Sequence, residues 1–137
     1  MLKFNRPTAY ALATAWLMLS FYLLTLPGSS LPTVSWLDAM QADKVVHILL
    51  FGVLVWCWYL PFKPFWGQRF LKSKALLMAF LAFHYGVAME FVQKWFIPNR
   101  SFDGWDIVAD GIGCALAYLL LQRHIKSLAP SALENGR

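Results

Sequence analysis

Charge is what this sequence has least of. Only 14% of its 137 residues are Asp, Glu, Lys or Arg, against roughly 25% in a typical soluble domain. A soluble chain of this length must cover its surface with polar groups, and this one cannot, so the class that remains is integral membrane. Cysteine is equally sparse. Cys57 and Cys114 both lie inside apolar runs, which excludes a disulfide framework and fits small packing residues. No nucleophile motif, glycine-rich phosphate loop or Cys-x-x-Cys is present, and Gly111-x-Gly113 follows no strand, so it is not a nucleotide fingerprint. There is no internal repeat and no low-complexity tract. The formal net charge is +5, but the basic residues form no stripe of the kind that grips phosphates, so no nucleic-acid partner is expected.

What the chain does have is apolar length. It is 59% hydrophobic, with seven Trp, eleven Phe and five Tyr. Four apolar segments stand out, at about Thr8 to Leu26, Val45 to Phe62, Ala75 to Phe96 and Trp105 to Gln122. Each is near the ~20 residues that carry a helix across ~30 Å of hydrocarbon. Spanning strands need alternation at period two, which none shows, and helices satisfy their own backbone in lipid. Lys3 and Arg6 before the first run invite a signal-peptide reading. That run exceeds the ~7–15 residues of such a segment and no Ala-x-Ala site follows, so an uncleaved helix is expected.

The expectation is therefore an all-α polytopic protein. Its four transmembrane helices form a single domain over residues 1–126, followed by a loose cytoplasmic tail at 127–137. Orientation follows from the basic residues. With the N-terminus inside, one compartment receives Lys3, Arg6, Lys63, Arg69, Lys72, Lys74, Arg123, Lys126 and Arg137, and the other only Lys44, Lys94 and Arg100. That bias places both termini in the cytoplasm. The acids then sort almost completely: Asp38, Asp43, Glu90, Asp103, Asp106 and Asp110 fall toward the outer side, with Glu134 in the tail. The outer loop 27–42 reads as irregular, with a short interfacial turn near 34–40.

Helical spacing gathers the polar residues. Asp43 and His47 are four apart and share a face, with Lys44 about 100° around; Glu90 and Gln93 are three apart; Asp106 and Asp110 are four apart. Ala109, Gly113 and Ala117 continue the arc of the last pair, a stripe of small residues that lets another helix approach closely. The acids are thus expected to face the bundle interior, since an Asp facing mid-membrane lipid costs about 2.5–3.5 kcal/mol on insertion scales. Arg100 in the connecting loop is placed to meet a carboxylate, and Lys44 and His47 can add positive charge. With five carboxylates against Lys44, Lys94 and Arg100, the excess acid calls for a cation, a proton or a positive ligand group. His84, mid-helix, is expected to meet the first or second helix.

Asp43-Lys44-x-x-His47-x-x-x-Phe51 resembles the first motif of the VanZ-like membrane proteins. Glu90-x-x-Gln93, Pro98-x-Arg100 and Asp103-x-x-Asp106-x-x-x-Asp110-x-x-Gly113 resemble the second. The resemblance covers about residues 30 to 122, and departs at Asp110, where the family commonly has Asn. It implies a small multi-pass protein of the bacterial inner membrane. The family's namesake is associated with resistance to the glycopeptide teicoplanin.

The binding residues expected are Asp43, Lys44, His47, Glu90, Gln93, Arg100, Asp103, Asp106 and Asp110. They would hold an envelope lipid, a lipid-linked precursor or a glycopeptide, with Lys44, His47 and Arg100 on anionic groups and the acids on cationic ones. An enzyme acting on a lipid headgroup is the alternative, with His47, Glu90 or Asp106 as general base, as is a purely structural network that holds helices together. Proton or ion transport fits less well, because the ionisable residues crowd one side. As a metal ligand, His47 would need carboxylates from other helices, and one His among scattered acids lacks a ligand spacing; no metal or cofactor is assigned. Membrane lipids are the expected surroundings, and so small a bundle leaves a homo-oligomer or a larger membrane complex open.

Overall fold

The structure, a computed structural model, describes residues 5–30, 42–65 and 68–127. Four long helices dominate: α1 (Arg6–Leu24), α2 (Ala42–Tyr59), α3 (Gln68–Phe96) and α4 (Gly104–Ser127). Short 3-10 segments follow α1 at Gly28–Ser30 and α2 at Leu60–Phe65, and no strand occurs among the described residues. All four helices are long and apolar enough to cross a membrane. The expected turn near 34–40 and the tail beyond Ser127 lie outside the described residues.

Local chemistry sets the ends. Asn5 caps α1 by accepting from the Thr8 amide at 3.0 Å, with Pro7 in the first turn, where a missing N–H costs nothing. α3 begins at Gln68 although its apolar run begins at Ala75, and α4 continues to Ser127 past the run ending at Gln122. Hydropathy marks hydrocarbon, whereas backbone hydrogen bonding continues until a breaker intervenes, so the helices outrun their apolar segments. Between α3 and α4 the chain reverses within a few residues, with Asn99 in the left-handed region at φ 57°, a conformation that Asn tolerates better than most side chains.

Helix α2 touches each of the other three, and α4 packs on α2 and α3. The closest approach is between α2 and α4. A Cβ on Gly113 would meet the backbone carbonyl of Ile48, so the expected stripe Ala109, Gly113, Ala117 is where one helix backbone seats against another. Phe51, Leu54, Val55 and Tyr59 of α2 fill the interior with Leu121 and Ile125 of α4 and the small residues Ala75, Ala79 and Ala82 of α3. Trp16 of α1 donates its indole N–H to the Leu50 carbonyl at 3.0 Å. Outward, Met18, Leu49, Phe80 and Leu119 are exposed. This is the apolar exterior of a bundle surrounded by hydrocarbon.

The result for the site is simple. The C-terminal ends of α1 and α3 and the N-terminal ends of α2 and α4 meet at one end of the bundle, joined by Gln93 to Leu24, Gly28 to Pro98, Glu90 to Asp103 and Lys44 to Asp106.

Candidate functional site

The polar end is built in two tiers. At the rim, the Lys44 ammonium donates to Asp43 Oδ2 at 2.8 Å, Asp103 Oδ2 at 2.6 Å and Asp106 Oδ1 at 2.6 Å. Three acceptors saturate its three N–H bonds. The side chains grade from water to core, with Asp43 58% exposed, Asp103 39%, Lys44 18% and Asp106 8%. Asp103 also caps α4, accepting from the Trp105 amide at 2.8 Å through Oδ1. The ammonium of Lys44, followed by that amide, holds the Asp103 carboxyl below the ordinary aspartate range.

Beneath lies a buried tier of His47, Glu90, Asp106 and Asp110. His47 Nδ1 and Asp110 Oδ1 are hydrogen-bonded at 2.8 Å, and His47 Nε2 faces Asp106 Oδ2 at 3.6 Å. The imidazole lies parallel to the Phe51 ring, with centroids 6.3 Å apart. Glu90 Oε2 accepts from the Asp103 amide at 2.9 Å, so the last turns of α3 hold the entry to α4. One nitrogen or oxygen each from His47, Glu90 and Asp106 lie within 4.8 Å of one another, on three different helices.

Seven of the nine expected residues converge here: Asp43, Lys44, His47, Glu90, Asp103, Asp106 and Asp110. The inward face of α2 differs from the one expected. It carries Lys44, His47 and Phe51, while Asp43 stands at the flank. Because α2 begins at Ala42, Asp43 occupies its first turn, where a carboxylate is favoured by the helix's positive end. The remaining two residues turn elsewhere. Gln93 is buried and donates to the Leu24 carbonyl at 2.9 Å, and Arg100 donates from Nε to the Leu26 carbonyl at 3.3 Å rather than to a carboxylate among the described residues. Gln93 satisfies a carbonyl left unpaired at the end of α1, and Arg100 one just beyond its cap. His84 does not reach α1 or α2. It is exposed and bonds the Phe80 carbonyl of its own helix at 2.8 Å.

One contributor escaped the sequence reading. A Cβ on Gly86 would run into the Asp110 carboxylate, so the missing side chain on α3 makes room for that acid. A lone glycine inside a helical pattern was the available signal. The cavity of about 400 Å³ lies elsewhere. It is lined by apolar side chains, including Leu17, Leu54, Trp58, Met78, Ala82 and Tyr85. The α3 members of that lining, Tyr85 to Met78, sit about 8 to 18 Å along the helix from Glu90. It is not part of the polar end.

Fold and site together define a multi-pass helical membrane protein whose ionisable groups are collected at one end of a four-helix bundle. A model of the VanZ/LLP1 family matches residues 4–126, and the chain belongs to that family. A curated relative is the uncharacterized protein C11E3.10 of the fission yeast Schizosaccharomyces pombe, strain 972, 32% identical over 115 residues. The match takes in 84% of this chain and 63% of that relative, so the chain spans less than two thirds of the relative's length. With a relative in a yeast, family membership alone does not place the chain in a bacterial membrane. No solved structure matches it.

Proposed function

We propose that the polar end binds the headgroup of an envelope lipid or lipid-linked precursor through a positively charged group such as an amine. The observation that carries this reading is the rim. Asp43 and Asp103 flank Lys44 with carboxylates still partly open to the surroundings, at the helix ends where headgroups lie. Lys44 is already shared among three acids, so the rim as a whole attracts positive charge rather than phosphate alone. A network serving only to hold helices together gains nothing from surplus exposed acid. In this proposal the polar end faces outward in a bacterial inner membrane, both termini are cytoplasmic, and a glycopeptide bearing an amine is a further ligand of the same chemistry.

The test is the lipid that stays with the protein through purification, identified by mass spectrometry and compared with Asp43→Asn/Asp103→Asn. Asn retains the cap on α4, so the variant isolates charge. Enrichment of an amine-bearing headgroup over the bulk membrane, lost in the variant, supports the reading. A retained profile equal to the bulk membrane sinks it.

A second reading, that the protein modifies the headgroup it binds, is favoured by the His47–Asp110 bond at 2.8 Å. A carboxylate that orients an imidazole toward a reacting group is the arrangement of a general base. His47→Gln in folded, inserted protein should then abolish formation of a headgroup product. Unchanged product would remove the enzymatic reading.

A further inference from the structure

We propose that His47 Nε2, Glu90 and Asp106 form a binding site for a divalent transition-metal ion of the Mn²⁺ or Zn²⁺ kind, with Asp110 as the positioning residue. The inference goes beyond the headgroup reading and does not depend on it.

Geometry is the first argument. The three groups come from α2, α3 and α4, all are buried, and their candidate donor atoms lie within 4.8 Å of one another. Ligands at about 2.0–2.2 Å from a common ion lie about 3–3.6 Å apart, a spacing that His47 Nε2 and Asp106 Oδ2 meet at 3.6 Å, and the Glu90 oxygen, within 4.8 Å, closes the triangle. The second and independent argument is the imidazole. His47 is 5% exposed, and its Nδ1 is taken by Asp110 at 2.8 Å. Since an ionised carboxylate only accepts, Nδ1 carries the proton and Nε2 is the nitrogen left to coordinate. Nε2 faces an Asp106 oxygen at 3.6 Å, longer than a hydrogen bond. An outer carboxylate that fixes a histidine's tautomer and direction is the usual companion of a metal-bound imidazole.

Charge agrees. Asp43, Glu90, Asp103, Asp106 and Asp110 surround a single ammonium, that of Lys44. With His47 neutral this leaves four negative charges, which a divalent ion halves. The other acidic triad, Asp43, Asp103 and Asp106, is no rival site, because the Lys44 ammonium already occupies its centre. The imidazole decides the kind of ion: all-oxygen cages suit Mg²⁺ and Ca²⁺, whereas a mixed nitrogen and carboxylate set suits Mn²⁺, Fe²⁺ or Zn²⁺. Three protein ligands leave coordination positions open, as catalytic rather than structural metal sites do.

The test uses full-length protein in detergent, stripped with chelator and titrated with Mn²⁺ followed by electron paramagnetic resonance. One Mn²⁺ per chain, displaced by Zn²⁺, is expected. His47→Ala and Glu90→Gln should abolish it, and replacing the exposed imidazole outside the polar end, His84→Ala, should not. Asp110→Ala should weaken binding about 10- to 100-fold, the range for an orienting outer residue. Asp110→Asn, which still accepts from Nδ1, should recover most of that loss. Because a variant at the buried tier can misfold, the wild-type protein supplies a direct readout: electron spin-echo modulation from a ¹⁴N nucleus bound to the Mn²⁺. No stoichiometric binding, or binding without nitrogen modulation and indifferent to His47→Ala, means adventitious carboxylate binding only and overturns the proposal.

Discussion

Replacing Lys44 with Met removes the ammonium that three carboxylates share while keeping most of the side chain's apolar stem. The three losses are unequal. Asp43 is 58% exposed and Asp103 39% exposed, so each pair resembles a surface ion pair, with a contribution of about 0–1 kcal/mol. Asp106 is 8% exposed and bonded to Lys44 at 2.6 Å, close to the buried case in which removing one partner costs about 3–5 kcal/mol. Lys44 itself retains some contact with the surroundings, which tempers the buried figure. A net loss of about 2–4 kcal/mol is expected, a factor of about 30 to 1,000 in the folding equilibrium. Reversible unfolding in mixed detergent micelles, followed by tryptophan fluorescence, measures it. If the stranded Asp106 charge is the cause, Lys44→Met/Asp106→Asn should recover at least half of the loss. A single variant within about 0.5 kcal/mol of wild type, or a double variant as unstable as the sum of the singles, would refute the reasoning.

Other perturbations probe other links. Gly113→Leu should separate α2 from α4 at Ile48, since even a Cβ meets that carbonyl; a protein that no longer survives purification as a single species is expected, whereas normal stability would contradict the close approach. Gln93→Leu should cost about 1–3 kcal/mol by leaving the Leu24 carbonyl without its donor, read in the same micelle assay. Asp103 supplies a pH dependence. Its folded carboxyl titrates below the unfolded value of 3.8, so its stabilisation is fully present above that value and is lost as pH falls through the lower folded one. In Asp103→Asn that component of acid destabilisation should vanish, and melting scans carried from neutral pH to well below 3.8 would show it.

Much of this architecture was legible in the sequence, for definable reasons. The four spans follow from hydropathy because lipid imposes length and apolarity on anything that crosses it. The inward direction of Asp106 and Asp110 followed from the small residues continuing their arc, since a close-packed face and a charged face must both avoid lipid. Elements set by chain reversal were not legible. Arg100 and Gln93 are long side chains near a turn, and only the path of residues 97–103 determines that they reach the carbonyls ending α1. Asp43 and Lys44 lie to either side of His47 on the helix wheel, and only the position of Asp103 and Asp106 across from α2 decides that Lys44 turns inward. The stand-off between His47 Nε2 and Asp106 is a tertiary distance between two helices, and no spacing within one helix encodes it.

Native mass spectrometry of delipidated protein asks whether the polar end holds a positively charged headgroup. Wild-type protein would be equilibrated with phosphatidylethanolamine and phosphatidylglycerol of matched chains, beside Asp43→Asn/Asp103→Asn. Wild type should retain the ethanolamine lipid preferentially, and the variant should show no preference. Equal retention of the two lipids by wild type, or a preference for the anionic one, would contradict it.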